Sequence, residues 1–312
     1  VWWSSIPKIG ADFSGHPPPA DKDAAKHTYS PTGAVPGKTS MDRTENFDGS
    51  ATVSGADTAA DTRLPAFPAY STRPLRFLQG PQSRWRELLL LVRAFREMLN
   101  GFRHLHFAGP CITVFGSARF PENHRYYKLA RQIGAAIAHE GFTVMTGGGP
   151  GIMEAANRGA KEVGGHSVGC NIKLPMEQRP NPWLDQFVDF RFFFVRKLML
   201  AKYSYGFVAL PGGYGTLDEL FEIATLVQTR KVESFPIVLA GVDYWKPMLD
   251  YLRDVMIPEG TIAAEDVDRF FLSDNPVEIA AHVSRIAKSE FGVREVQPKP
   301  RWWLFERSPW PR

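Results

Sequence analysis

The chain has 312 residues, 44% of them hydrophobic, enough for one large core or two small ones. Its formal charge of +4 suits a small anionic ligand but is too weak a basic excess to require nucleic acid. The longest apolar run, Leu88 to Val92, is cut by Arg93 and cannot cross a bilayer, and the two cysteines favour free thiols over a disulfide framework.

A soluble protein with neither a membrane nor a nucleic acid as partner is therefore expected. Cys111 and Cys170 sit in apolar, strand-like runs and read as buried free thiols. The opening VWWSSIPKIG has neither the charged nor the apolar region of a secretory leader, so a cytoplasmic location is the expectation.

From Asp12 to Thr72 the sequence is rich in Pro, Gly, Ser, Thr, Ala and Asp, with few large apolar residues to offset the entropy of ordering. Residues 1–82 are read as a disordered or linker arm. From Ser83 to about Phe102, the spacing of Trp85, Leu88, Leu89, Val92, Phe95 and Leu99 predicts an amphipathic helix packed on the domain behind it, with basic residues outward.

Short β-branched runs then alternate with helical stretches. CITVFGS ends in a small-residue turn, HRYYKLARQIGAAIAHEG is a helix closed by Gly141, and FTVMTGGGPG is a strand breaking into glycines. A helix from Ile152 to Val163, the strand HSVGCNI, an extended FVDFRFFF, a helix from Val195 to Tyr203 and the strand GFVAL follow. A helix from Thr216 to about Arg230, the strand FPIVLAG, a helix around Tyr244 to Val255 and a helix from Pro276 to Phe291 complete the series.

This rhythm predicts an α/β fold: a doubly wound, Rossmann-like parallel sheet with helices on both faces, spanning residues 83–292 with its N-terminal accessory helix. Residues 293–312, with their KPRWWLFERSPWPR, form an aromatic and basic tail.

Two glycine turns stand at strand-to-helix junctions. In an open parallel sheet the strand ends carry the ligand, and a helix starting there offers unpaired N–H groups and a positive dipole end to phosphate. In ALPGGYGTLDELFE, Gly212, Gly213 and Gly215 let the backbone approach an anion, and Thr216 either caps the helix or donates its hydroxyl. In TGGGPGIMEAANRGA, Pro150 stands near the helix start and Glu154 about one turn inside. Neither turn is a Walker A loop or a good dinucleotide fingerprint. A carboxylate follows each turn at a similar offset, an arrangement that suits phosphate on the amides and a sugar beside the acids.

PGGYGTLDE, from Pro211 to Glu219, resembles the PGGxGTxxE signature of the LONELY GUY (LOG) family, and VRK at Val195 to Lys197 is similar to the end of that family's second motif. The resemblance covers roughly residues 110–286. It implies a phosphoribohydrolase that cuts the N-glycosidic bond of a nucleoside 5'-monophosphate, releasing base and ribose 5-phosphate without a metal or organic cofactor. Many family members carry the label lysine decarboxylase, but no feature of this chain argues for pyridoxal phosphate.

The resemblance implies Glu219 as the carboxylate beside the anomeric carbon and Arg196 as its catalytic cation. Gly212, Gly213, Gly215 and Thr216 would cradle the 5'-phosphate, with Ser117 and the turn of Gly147, Gly148, Gly149 and Gly151 closing the other side. Glu154 would suit ribose hydroxyls, and Lys197 is either a further substrate contact or a surface charge. A homodimer with sites near its interface is implied too, the helices holding Arg196 and Glu219 being the natural contact surfaces.

Two departures bear on base preference: Phe193 and Phe194 stand where the family usually has Met-His, and Phe120 replaces a later glycine of the Gly-Ser motif. AMP is as reasonable a substrate as a cytokinin riboside monophosphate. The histidines are scattered with no metal-ligand spacing. A different class, a nucleotide or molybdenum-cofactor carrier of the same fold, is the alternative.

Overall fold

The computed structural model describes residues 80, 81, 83–173, 180–232 and 235–293. These lie in one of the two compact units into which the chain divides, Ala66–Arg312. The proposed arm, apart from Gly80 and Pro81, and the tail after Val293 fall outside the described residues.

Seven parallel strands form one sheet in the order β4-β3-β2-β1-β5-β6-β7. They are β1 Cys111–Phe115, β2 Thr143–Thr146, β3 Ser167–Ile172, β4 Gln186–Phe190, β5 Ser204–Ala209, β6 Ile237–Leu239 and β7 Phe270–Leu272. The helices are α1 Arg84–Leu105, α2 Arg125–His139, α3 Ile152–Glu162, α4 Phe193–Tyr203, α5 Tyr214–Gln228, α6 Val242–Tyr251, α7 Ala264–Asp268 and α8 Pro276–Phe291. A π-helical stretch, Leu252–Met256, continues α6. The expected doubly wound parallel sheet is the observed fold.

Because both faces are covered, the inner strands are buried along their whole length instead of alternating. Strand pleating still sorts the side chains into two cores. Ile112 and Val114 of β1 face α2, α3 and α8 through Tyr127, Ile133, Ile152 and Val283. Cys111 and Phe115 face α1, α4, α5 and α6 through Leu105, Met199, Ile223 and Trp245. Both cysteines are buried free thiols.

The topology fixes where a ligand can sit. Strand β1 lies between β2 and β5; the chain leaves β1 through α2 on one face of the sheet and β5 through α5 on the other, opening a crevice at the C-terminal ends of β1 and β5. Both glycine turns lie at that end, after β2 and after β5.

Several boundaries differ from those expected. FVDFRFFF is not one strand: β4 stops at Phe190 because Glu97 of α1 accepts the N–H groups of Arg191 (2.9 Å) and Phe192 (3.3 Å), and α4 starts at Phe193. Strand β7 and the short α7 had no sequence signal; among the described residues β7 pairs only with β6, at the sheet edge.

Helix α1 forms, but not with the expected face inward. It runs antiparallel to β4, with Glu97 at that strand's exit and the His104 carbonyl accepting from Gln186 at its entry. Its buried residues are Ala94, Gly101 and Leu105. A side chain at Gly101 would press on Met199 and Phe190, so this glycine lets the helix sit close. Trp85, Leu88, Leu89, Leu91, Val92, Phe95 and Leu99 are exposed, Trp85 by 70% and Leu91 by 63%. Among the described residues, the turns before Glu97 bury only Ala94.

Candidate active site

The crevice is built around the main chain of Ser117. Its N–H donates to the Pro211 carbonyl (3.0 Å) and its carbonyl accepts from the Ile152 N–H (3.0 Å), so the loop after β1 is tied to both glycine turns. Its hydroxyl accepts from the Arg119 N–H at 3.1 Å.

The two turns use glycine for different reasons. In the first, Gly148 and Gly151 have φ of +74° and +69°, a region that disfavours other residues. A Cβ on Gly151 would stand 2.5 Å from the Ser117 carbonyl, and one on Gly147 would stand 2.8 Å from the Arg196 guanidinium. This turn is packed by protein. In the second, a Cβ on Gly212 would collide with Thr216, whereas one on Gly213 or Gly215 would meet nothing within 4 Å. There the backbone faces open space at the start of α5, where the first N–H groups of a helix lack intrahelical acceptors.

Helix α5 begins at Tyr214 with Gly213 at its N-cap, two residues before the expected start. Thr216 therefore lies inside the first turn, buried, and is not the cap. The Tyr244 hydroxyl of α6 donates to the Gly212 carbonyl at 2.6 Å, and the buried Trp245 indole N–H is 3.1 Å from the Ala209 carbonyl and 3.0 Å from that of Ala240.

Sequence reasoning passed over the support of the first turn. The Thr146 hydroxyl accepts from the Gly148 N–H (2.9 Å) and donates to Asn157 Oδ1 (2.6 Å). Asn181 Nδ2 reaches the same Asn157 oxygen and the Gly149 carbonyl, both at 3.1 Å, while the Asn181 N–H donates to the Gly148 carbonyl at 2.9 Å. Both amides are buried, and burial of such groups demands partners.

Arg196 stands in the first turn of α4 and crosses the end of β3. Its Nε donates to the Cys170 carbonyl at 2.9 Å, and its Nη1 lies 3.2 Å from Glu219 Oε1. The pair is nearly enclosed, with side-chain exposures of 13% for Arg196 and 8% for Glu219. Burial raises the Glu219 carboxyl above its ordinary value; Arg196 and Lys197 oppose that rise, while Glu222 and Asp218 add to it.

Lys197 reaches a different part of α5. Its ammonium lies 2.9 Å from Asp218 and 2.7 Å from Glu222, in a groove also lined by Tyr214, Leu217 and Phe221. Glu154 accepts from the Tyr127 hydroxyl at 3.2 Å, on the side of α3 that continues into the Arg158 and Glu162 ion pairs. Met153, its neighbour, faces Gly147 beside Arg196. Phe193 and Phe194 are exposed at the start of α4. Among the described residues, no three His, Cys, Asp or Glu side chains gather as a metal centre, and no helix is long and apolar enough to cross a membrane.

The chain is similar to several known proteins. A family model described as "Possible lysine decarboxylase" matches residues 153–283. The rice (Oryza sativa subsp. japonica) protein named cytokinin riboside 5'-monophosphate phosphoribohydrolase LOG is 32% identical over 177 residues, 55% of this chain and 71% of that protein. A Mycobacterium tuberculosis protein named cytokinin riboside 5'-monophosphate phosphoribohydrolase is 32% identical over 169 residues, 53% of this chain and 88% of that one. A solved molybdenum cofactor carrier protein from Chlamydomonas reinhardtii superposes with a TM-score of 0.43 at 25% identity, covering 57% of this chain and 98% of that one. With relatives of this similarity matched over more than two thirds of their length, and with PGGYGTLDE folded as the turn and first helical residues that hold Glu219, the chain belongs to the LONELY GUY (LOG) family.

Proposed function

We propose that this chain is a phosphoribohydrolase: it hydrolyses the N-glycosidic bond of a nucleoside 5'-monophosphate, with water as co-reactant and free base and ribose 5-phosphate as products. The observation that carries this reading is the enclosed ion pair between Arg196 of α4 and Glu219 of α5, the helix whose N-terminus is the open glycine turn. The names of the rice and Mycobacterium tuberculosis relatives support the reaction class.

The 5'-phosphate binds the N–H groups around Gly213 and Gly215 at the start of α5, with the Thr216 hydroxyl and Gly212 beside them. As the bond to the base lengthens, positive charge builds on the ribose, and the Glu219 carboxylate stabilises it while steering water to the anomeric carbon. Arg196 holds that carboxylate in place and supplies the cation for phosphate or base. Ser117 and the turn of Gly147, Gly148, Gly149 and Gly151 form the opposite wall. Glu154, anchored by Tyr127, serves the ribose hydroxyls. AMP and a cytokinin riboside monophosphate are the two substrates put forward, and the site is cytoplasmic.

A homodimer belongs to the same proposal. Exposed apolar residues on α1, on α4 (Phe193, Phe194, Leu198) and on α5 (Phe221) are more than scattered surface positions and suit cover by a second copy.

Incubating folded protein with AMP and with isopentenyladenosine monophosphate, and looking for free base by chromatography, tests the reaction. Tight nucleotide binding by calorimetry with no base released from either would replace the hydrolase with a carrier.

A further inference from the structure

Arg196 and Lys197 are consecutive on α4, so they leave the helix about 100° apart, yet both end on α5. Arg196 meets Glu219, whereas Lys197, with 16% side-chain exposure, bridges Asp218 and Glu222. These two acids flank Glu219 in sequence and stand four residues apart, a spacing at which like charges repel. The charged groups bearing on Glu219 are thus Arg196 and Lys197 from α4 and Asp218 and Glu222 from α5; the Cys170 thiol on β3, pushed up to about 12 by burial, stays uncharged.

We propose that Lys197 is a positioning residue for the reaction: by neutralising Asp218 and Glu222 and clamping α4 to α5, it keeps Glu219 anionic and within reach of Arg196 without touching substrate. This rests on the reading of Glu219 as the reacting carboxylate. With Lys197 in place, three carboxylates share two cations. Without it, a buried carboxylate would have two uncompensated acids beside it, and binding a proton would relieve that repulsion. Directional pairing supports the clamp as well: one ammonium with three donors serves two acceptors on the same helix face.

The test compares kcat against pH for wild type, Lys197→Met, Lys197→Arg and a Lys197→Met variant also carrying Asp218→Asn and Glu222→Gln. Lys197→Met should move the acid limb upward by about one pH unit while keeping the high-pH plateau within a few-fold of wild type. The two added amides should return the limb, and Lys197→Arg should leave it in place. An unmoved limb, or a loss of rate equal at every pH, overturns the proposal. Should Lys197→Met fail to fold, Glu222→Gln alone in the wild-type background should move the limb downward, and no movement there is equally fatal.

A carboxyl-carbon NMR titration of glutamate-labelled protein, with the Glu219 signal identified by its loss in Glu219→Gln, reads the same shift without turnover. It separates the two claims. If no nucleotide is cleaved but the Glu219 titration moves in Lys197→Met, the hydrolase reading fails while the control of the Glu219 charge by Lys197 stands. If cleavage occurs and the titration is unmoved, the reverse holds.

Discussion

Arg196 Nη1 lies 3.2 Å from Glu219 Oε1, joining the first turn of α4 to the second turn of α5 across the end of β3. An enclosed carboxylate is tolerated only with such a partner, and removing either member leaves the other charge buried. Glu219→Gln preserves shape and hydrogen-bonding capacity but removes the negative charge. It should lower kcat by roughly two to four orders of magnitude while leaving the dissociation constant for AMP within a few-fold of wild type. Isothermal titration beside a base-release assay reads both, and undiminished turnover would remove Glu219 from the mechanism.

The same burial sets a pH dependence. The reactive form is the anion, and its pKa in the folded chain is raised, so activity should fall on acidification through a value above the ordinary 4.5 of a glutamate. The linkage to stability has the opposite sign. A carboxyl that binds its proton more readily folded than unfolded is destabilising at high pH, and that cost disappears as pH falls from the folded value through the unfolded one. Within this window wild type should lose activity while gaining thermal stability relative to Glu219→Gln. Parallel pH series of kcat and Tm for the two proteins check it.

The two glycine turns should respond differently to a methyl group. Gly151→Ala puts a Cβ against the Ser117 carbonyl at positive φ and should lower Tm. Gly213→Ala adds its methyl to open space at φ −90°, so the fold should be unaffected. If that space takes the phosphate, losing a charge-assisted contact should weaken AMP binding roughly 10- to 100-fold. Unchanged affinity in Gly213→Ala would move the phosphate elsewhere.

Helices α2 and α3 cross at contact distance through Gly134 and Gly159, whose added Cβ atoms would run into the carbonyls of Ala156 and Arg131. An alanine inside a helix ordinarily gains about 1 kcal/mol over glycine. Here overpacking against backbone should reverse the sign and cost roughly 1 to 3 kcal/mol. Urea denaturation of Gly159→Ala measures the difference, and a stabilised variant would contradict the close crossing.

Leu91 and Phe95 lie on the exposed apolar side of α1. Replacing both with glutamate should change monomer stability by no more than about 0.5 kcal/mol each, as for other exposed positions. If a second copy covers this face, the mass seen by light scattering should fall by half. A dimer of unchanged strength would place its interface elsewhere.

Much of the fold was legible because a buried parallel sheet writes itself as β-branched runs between helical periods; α8 was expected at its observed limits and α3 within one residue. The failures share a cause, which is that distant partners decided the outcome. Phe190 to Phe194 have strand propensity, but Glu97, more than ninety residues earlier, captures the two N–H groups that end the strand. The apolar stripe of α1 resembles an inward face, yet the helix turns Ala94, Gly101 and Leu105 inward and leaves the large residues exposed. At the site, the glycines, Arg196 and Glu219 belong to contiguous motifs and could be picked out. Asn157 and Asn181 could not, because what marks them is burial and a shared oxygen atom. Lys197 carried a motif, but only geometry reveals that its ammonium answers to Asp218 and Glu222.

The bonds from Ser117 to Pro211 and Ile152 run entirely through its peptide groups. Truncating the side chain leaves both intact, so an alanine scan is blind to the joint between the two walls of the crevice. Only a change to the backbone itself, such as proline or an ester in place of the amide at this position, would let the walls part.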